Sequence, residues 1–184
     1  QIFFNFLRNW LEHLGYNVEY VYNYTDIDDK IINRSNQENK STKEISEQYI
    51  DEFKRDYESL KINFPTQTPK CTEHIDDIIR FIEDLIKKKC AYESEGSVFF
   101  SIDKFSDYGK LSGKKPEDLL AGHRVEVNKN KKNPMDFVLW KPSKHNEPGW
   151  DSPWGIGRPG WHIECSAMSS NCLLYTSPSP RDDL

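Results

Sequence analysis

The fold is decided by residues 18–32, which have the sequence Val18-Glu-Tyr-Val-Tyr-Asn-Tyr-Thr-Asp-Ile-Asp-Asp-Lys-Ile-Ile32. The first seven of these residues are mostly β-branched or aromatic, which favours a short buried strand. The Asp-rich part that follows leads into a new apolar pattern, where Thr25 or Asp26 is placed to cap a helix by accepting free amide hydrogens. The stretch therefore predicts a strand that leads directly into a helix.

The residues before this stretch predict another helix. Apolar side chains recur at steps of three and four over residues 3–14, and Gly15 follows where a left-handed cap would lie. In open α/β sheets, ligands bind beyond the carboxyl ends of the strands, so Thr25 and Asp26 are candidate ligand-facing residues. Two alternatives stay open: these polar residues only cap and solvate a helix, or the carboxylates hold a cation.

Two further helices and a β-rich part are predicted next. A Ser41-x-x-Glu44 capping box opens the first helix, and the prolines at 65 and 69 end it. The second helix carries isoleucine and leucine over residues 75–86 and ends in three lysines, which suit its C-terminal dipole. From about Tyr92, short strand-like runs alternate with Gly, Pro and Lys/Asn turns, which predicts a small β-rich part. These runs are residues 97–102, 123–127 and 136–140.

A loop followed by a helix is predicted near the C-terminal end. Residues 141–160 contain four prolines and four glycines, too many for a helix or a central strand. The Gly155-x-Gly157-x-Pro159-Gly160 part leaves room for a ligand near the backbone. It lacks the spacing of a phosphate-binding motif, so a tight turn is the better interpretation.

The helix predicted from Trp161 carries two candidate metal ligands. His162 and Cys165 are three residues apart, so a helix would put them on one face. An imidazole and a thiol suit zinc, although a closed zinc site needs four ligands. The alternative is a helix that buries a small apolar thiol beside a hydrogen-bonded histidine. The other three cysteines are expected to be packing residues.

Composition excludes several classes of protein. The chain has 184 residues and a formal charge of −5, and no apolar run approaches the roughly 18 residues that a membrane span needs. The acidic balance argues against a nucleic-acid binder with a broad basic face, although a local contact stays open. Four irregularly spaced cysteines without a Cys-x-x-Cys pair predict no disulfide framework. The N-terminal residues lack the features of a secretory signal, so we expect a cytoplasmic protein.

Three strings resemble the cysteinyl-tRNA synthetase family. They are Asn23-Tyr-Thr-Asp-Ile-Asp-Asp-Lys-Ile-Ile32, Asn133-Pro-Met-Asp-Phe-Val-Leu-Trp-Lys141 and Ser152-Pro-Trp-Gly-Ile-Gly-Arg-Pro-Gly-Trp-His-Ile-Glu-Cys-Ser-Ala-Met168. The resemblance runs in order from the first helix to about Met168, and the last string is highly specific to that family.

The resemblance implies an α/β fold, namely part of a Rossmann-like class I synthetase catalytic domain with a small α+β connective insertion. Residues 1–91 would then be the N-terminal half of the Rossmann-like domain, with its start missing, and the helices that follow it. Residues 92–150 would be the β-rich insertion, and residues 151–171 the return to the active site. Residues 172–184 are expected to be an unrelated or disordered tail.

The resemblance also implies a chemistry. The parent enzyme would activate L-cysteine with ATP and Mg²⁺ to cysteinyl-adenylate and pass the amino acid to tRNA(Cys). Thr25, Trp161 and His162 would line the amino-acid pocket, and Cys165 would be one of four ligands of a Zn²⁺ ion that binds the substrate thiolate. Zinc prefers a thiolate to an alcohol, which gives a selectivity over serine that pocket size alone does not.

The family's catalytic signatures and its three other zinc ligands have no counterpart in the sequence, so the 184-residue chain is expected to be inactive by itself. Two alternatives remain for its function. A ligase of the mycothiol pathway uses the same cysteine-activating scaffold but passes cysteine to an amino sugar. A non-catalytic zinc-binding module would use His162 and Cys165 as half of a site that a partner chain completes.

Overall fold

The computed structural model describes residues 1–110, 112–113, 129–145 and 147–174, which fall into two compact units. The first unit contains residues 1–74 and the described residues from 165 onward, and the second contains residues 75–164. The predicted strand at residues 123–127 and most of the predicted tail lie outside the described residues. Within the described ranges, no helix has the length and apolar character needed to cross a membrane.

The first unit contains three helices that the sequence predicts. They are α1 (Ile2–His13), α2 (Asp29–Glu38) and α3 (Thr42–Ser59). Gly15, just beyond α1, has a φ of +89°, as expected for a left-handed cap. The capping box at the start of α3 is also confirmed, because the Ser41 hydroxyl accepts from the Glu44 amide and the Glu44 carboxylate accepts from the Ser41 amide.

The cap of α2 differs from the prediction. Asp28 has an extended backbone and accepts a hydrogen bond of 2.7 Å from the Ile31 amide, so Asp28 is the capping residue rather than Thr25 or Asp26. Residues 25–26 have no regular structure and Ile27, whose side chain is buried, lies in a bend, so the helix begins later than the Thr25 cap would require. The Asp26 carboxylate is occupied elsewhere, by hydrogen bonds from Thr72.

The predicted buried strand at residues 18–24 is wrong as a regular strand. The run is joined to residues 66–70 by two isolated parallel bridges, Val21 with Gln67 and Tyr24 with Lys70. Tyr24 is the one buried residue of the run. Pro69 lies within the partner segment and Pro65 lies directly before it. Neither carries an amide hydrogen, which prevents a continuous ladder.

An aromatic cluster attaches this extended run to α3. The Phe53 ring stacks on Tyr22, with ring centroids 5.3 Å apart and an interplanar angle of 6°. Phe53 also lies 5.6 Å from Tyr24 in an edge-on arrangement and 4.2 Å from Tyr57. Rings at these separations attract one another beyond simple burial, so the cluster fixes residues 22–24 in the absence of a full strand.

The second unit contains the predicted helix α4 (Ile75–Lys87) and a four-stranded antiparallel sheet. Ile78 and Ile82 of α4 are fully buried. The sheet has the order β1-β2-β3-β4, and its central strands bury Val98, Phe99, Leu139 and Trp140. The strands are β1 (Ala91–Ser94), β2 (Ser97–Phe100), β3 (Phe137–Pro142) and β4 (Gly157–Pro159).

The region predicted as a loop contributes to this sheet. Strand β3 continues to Pro142, and Gly157–Pro159 forms the edge strand β4, so residues 141–160 are not entirely loop. Pro159 is tolerated in β4 because β4 is an edge strand. Helix α5 (Trp161–Ser169) begins at the predicted residue and continues as a π-helical turn, Ser170–Leu174. The division between the two units falls within α5, after Glu164.

Candidate functional site

Two glycines set the start of α5, which carries three of the four candidate site residues. A Cβ atom on Gly160 would lie less than 3.0 Å from the carbonyl of Val138, and one on Gly157 would overlap the Trp140 indole and the Lys141 carbonyl. Gly160 donates a hydrogen bond of 2.8 Å to the Leu139 carbonyl. The absence of side chains therefore lets β4 and the chain after it lie directly against β3.

This packing explains the glycine-rich motif. Gly155 has a φ of +103°, which supports the predicted tight turn, because other residues rarely adopt this conformation. Gly157 and Gly160 are buried, and the space that their missing side chains leave is filled by β3. The motif thus serves close backbone packing, and it does not leave room for a ligand at these two glycines.

Trp161 and His162 occupy the first two positions of α5. The Trp161 side chain is 67% exposed, which is unusual for so large an apolar group. The Trp161 and His162 ring centroids lie 5.5 Å apart, and the Phe137 ring contacts the imidazole in a T-shaped arrangement with centroids 5.0 Å apart. An exposed indole next to an imidazole offers an apolar surface beside a hydrogen-bonding group.

The aromatic surroundings also affect the protonation of His162. Although the residue is exposed at the surface, neighbouring protein atoms partly desolvate the ring, and this desolvation lowers the pKa of His162. The imidazole is therefore largely neutral near pH 7. A neutral imidazole has one donor and one acceptor nitrogen, which suits a hydrogen bond to a polar ligand.

Cys165 lies on α5, three residues after His162, as the sequence predicts. It is exposed, whereas Cys71 is fully buried, as expected for a packing residue. A soft, accessible thiol has the right chemistry for a zinc ligand. Within the described ranges, however, no group of three or more His, Cys, Asp or Glu residues could hold a metal ion. The described residues thus supply a suitable donor but not a complete zinc site.

Thr25 lies in the first unit, where both of its neighbours are fixed to residues 70–72. The Tyr24 carbonyl accepts a hydrogen bond of 3.3 Å from the Cys71 amide. The buried Asp26 carboxylate accepts from the Thr72 amide at 3.1 Å and from the Thr72 hydroxyl at 2.5 Å. Asp26 is therefore engaged with Thr72 rather than ligand-facing, while Thr25 is half-buried between two fixed residues.

Sequence reasoning missed Thr72 and Phe137. Thr72 could not be identified from the sequence, because its partner Asp26 is 46 residues away and no local pattern indicates a hydrogen bond over that distance. Phe137 belongs to the string at residues 133–141, but its contact with the His162 ring depends on how β3 and the start of α5 pack. The Asn133-Pro-Met-Asp136 turn directly before it is the one local signal that a constrained strand begins there.

Comparison with known proteins gives consistent matches over nearly the whole chain. The family model described as tRNA synthetases class I (C) catalytic domain matches residues 1–177. The Cysteine–tRNA ligase of Bdellovibrio bacteriovorus is 58% identical over 170 residues, which are 92% of this chain and 35% of that protein. That of Carboxydothermus hydrogenoformans is 56% identical over 172 residues, 94% of this chain and 37% of that protein. That of Clostridioides difficile is 56% identical over 175 residues, 95% of this chain and 38% of that protein.

Proposed function

The chain belongs to the class I (C) tRNA synthetase catalytic domain family, which is Rossmann-like, and from this premise we propose that it is part of an enzyme that attaches cysteine to tRNA(Cys). The observation that carries the proposal is the 56–58% identity to proteins named Cysteine–tRNA ligase over 92–95% of the chain. The chain spans little more than a third of the length of these relatives. The amino-sugar ligase and the zinc-binding module are not favoured, since the relatives carry neither name.

The proposed reaction has two steps. The carboxylate of L-cysteine attacks the α-phosphate of ATP, which forms cysteinyl-adenylate and releases pyrophosphate. A terminal ribose hydroxyl of tRNA(Cys) then attacks the adenylate carbonyl, which forms the ester and releases AMP. Both steps depend mainly on positioning and on the stabilisation of developing charge. We assign no described residue to ATP or Mg²⁺.

We propose that Thr25, Trp161 and His162 line the pocket for the amino acid. Two features support this assignment: Trp161 presents a large apolar surface, and the neutral His162 ring offers both a donor and an acceptor. The fixed backbone on both sides of Thr25 would hold its hydroxyl in a constant position. A pocket whose side chains are already ordered binds with a smaller loss of entropy.

Cys165 is proposed as one of four ligands of a Zn²⁺ ion. The exposed thiol fits this role, and because the described residues contain no group of three or more potential ligands, they do not complete the site. When bound, zinc would supply a soft Lewis acid that prefers a thiolate to an alcohol, and this preference would separate cysteine from serine. His162 and Cys165 lie on the same helix, so this proposal puts the pocket and the metal ligand next to each other in sequence.

A chimaeric enzyme tests these proposals. The matching segment of the Bdellovibrio bacteriovorus ligase is replaced by this chain, to which it is 58% identical, and cysteine-dependent exchange of pyrophosphate with ATP is measured. We expect activity with cysteine, a loss of about 100-fold or more for Cys165→Ser, and a parallel loss of bound zinc. Cys90→Ser is the matched control, since Cys90 is a half-buried cysteine remote in sequence from α5.

The proposal is wrong if the chimaera activates no cysteine while the parent ligase does, or if Cys165→Ser keeps its zinc and still rejects serine. The isolated 184-residue chain provides a second test. We expect it to show no cysteine-dependent turnover and no stoichiometric zinc. One tightly bound zinc per isolated chain would instead support a structural zinc-binding module.

A further inference from the structure

A buried carboxylate lies directly before β3. Asp136 is 1% exposed and accepts three hydrogen bonds, from the Tyr92 hydroxyl at 2.7 Å, the Ile102 amide at 3.1 Å and the Asn133 amide at 3.1 Å. Hydrogen bonds to an ionised acceptor are stronger than those between neutral groups. Three such bonds hold the Asp136 carboxylate in a single orientation. Asp136 therefore fixes the backbone at the point where Phe137 begins β3.

Phe137 is fixed by its side chain as well. Its ring stacks on Phe100 of β2, with centroids 5.0 Å apart and an angle of 18°, and the two residues are register partners in the sheet. Phe137 also contacts His162, with ring centroids 5.0 Å apart and an interplanar angle of 66°. Stacked and edge-to-face geometries are the ones that aromatic pairs prefer. The Phe137 ring thus contacts both Phe100 of the sheet and His162 of α5.

We propose that Phe137 is a positioning residue that fixes the orientation of the His162 imidazole toward the amino-acid substrate, and that Asp136 holds Phe137 in place. This inference rests on the proposed function, which makes His162 a pocket residue. An exposed histidine in the first turn of a helix has several accessible ring orientations. Restricting the ring to one orientation before the substrate arrives lowers the entropic cost of binding it.

The first test is a spectroscopic measurement on the full chain. The carbon-bound imidazole protons of His162 are assigned by comparison with His162→Gln, and their chemical shifts are measured in Phe137→Leu and Phe137→Tyr. We expect Phe137→Leu to remove the ring-current shift and Phe137→Tyr to retain it, because tyrosine keeps the ring. An unchanged His162 spectrum in Phe137→Leu overturns the proposal. If that variant does not fold, Phe137→Met takes its place.

The second test measures kinetics in the chimaeric enzyme described above. Phe137→Leu should raise the KM for cysteine about two- to tenfold, the range that aromatic pair energies give, while kcat changes less than about twofold. Phe137→Tyr should restore the KM. Phe105→Leu is the matched control, because Phe105 contacts Phe100 at 6.2 Å and is 48% exposed. A merely structural role would lower the active fraction, and therefore kcat, without a change in KM.

The two tests separate this inference from the proposed function. A chimaera that is inactive before any substitution refutes the proposed function and, with it, the substrate-directed part of the inference. An active chimaera whose KM for cysteine is the same with Phe137→Leu leaves the proposed function intact and refutes the role of Phe137. Equal effects of Phe105→Leu and Phe137→Leu on KM refute that role too.

Discussion

The two segments that carry the proposed pocket residues are held by different forces. The Thr25 segment, residues 20–28, is attached to its neighbours by two isolated bridges, by the ring contacts of Tyr22 and Tyr24 with Phe53, and by the Asp26–Thr72 hydrogen bonds. The glycine segment, residues 155–160, instead forms a paired edge strand that lies against β3 at two glycines. The first segment is thus held by separate polar and aromatic contacts without a continuous ladder, and the second by strand pairing and close steric fit.

This difference predicts that the two segments open locally at different free energies. A segment without a continuous ladder can lose its contacts one at a time, so it opens at a lower free energy than a paired and packed strand. We therefore expect residues 20–28 to open at a lower free energy than the strand pairing that precedes α5.

The largest effect is expected for Gly160→Ala. The new methyl group would meet the Val138 carbonyl at less than 3.0 Å, and a backbone atom cannot turn away as a flexible side chain can. Overpacking against backbone should lower the free energy of unfolding by about 3 kcal/mol or more. Urea denaturation of the chain, followed by tryptophan fluorescence, measures this change.

Gly15→Ala provides the comparison for that substitution. Gly15 has a φ of +89°, but a Cβ atom there would find nothing within 4 Å. The substitution should therefore cost only about 1–2 kcal/mol of backbone strain. Equal losses in the two variants would mean that the close approach of Gly160 to β3 does not determine the stability of the glycine segment.

The next largest effect on the free energy of unfolding is expected for Asp136→Ala, which is compared with the same substitution at the buried Asp26. Asp136→Ala leaves three donors without their acceptor and should cost about 3 kcal/mol, whereas Asp26→Ala affects only the two donors of Thr72 and should cost about 1–2 kcal/mol. Amide hydrogen exchange, measured separately for the two units, resolves the two losses. Thr72→Val is the control, because it removes the hydroxyl donor of the same pair. A larger loss in the free energy of unfolding from Asp26→Ala than from Asp136→Ala would contradict the expectation that the first segment is the less rigid one.

How much of the fold the sequence predicts depends on how local the signal is. The helices and the Ser41–Glu44 capping box are predicted correctly, because spacing and capping are properties of neighbouring residues. The strand at residues 18–24 is predicted wrongly, since its composition favours a strand but its partner segment contains prolines. Strand β4 is missed because proline and glycine content argues for a loop, while edge pairing depends on β3.

The candidate site shows the same limit. Residue chemistry singles out His162 and Cys165, the position at the end of a predicted strand singles out Thr25, and the resemblance adds Trp161 and the proposed roles. Asp26 is misassigned as ligand-facing, because its real partner, Thr72, cannot be identified from any spacing rule. The role proposed for Phe137 depends on an edge-to-face contact between the start of a strand and the start of a helix, which only the structure reveals.

A smaller effect on the free energy of unfolding is expected for the second unit at alkaline pH. Desolvation and the hydrogen bond to Asp136 raise the pKa of Tyr92 from 10.0 to about 12. The folded state therefore keeps this proton to a higher pH than the unfolded state does. The resulting stability is fully present below about pH 10 and is lost as the pH rises toward 12. The free energy of unfolding, measured across this range, should fall less steeply in Tyr92→Phe.

Tyr57 gives the corresponding measurement for the first unit, since burial raises the pKa of Tyr57 to about 12. In the first unit, Tyr57→Phe should reduce the loss of amide-exchange protection that occurs as the pH rises, and it should leave the second unit unchanged. Tyr92→Phe should reduce that loss in the second unit only. If either substitution changes both units equally, the two units unfold as one, and the comparison between their segments applies only to local opening.

The smallest effect is expected at the helix cap that ends the Thr25 segment. Asp28→Ala removes the acceptor of the Ile31 amide and should cost about 1 kcal/mol, while Asp28→Asn, which keeps a capping oxygen, should cost a few tenths. Because α2 follows the segment directly, a frayed first turn should also release residues 25–27. Faster amide exchange at Ile27 in Asp28→Ala, with no change at Leu139, would show that the Thr25 segment moves independently of the packing that holds the glycine segment.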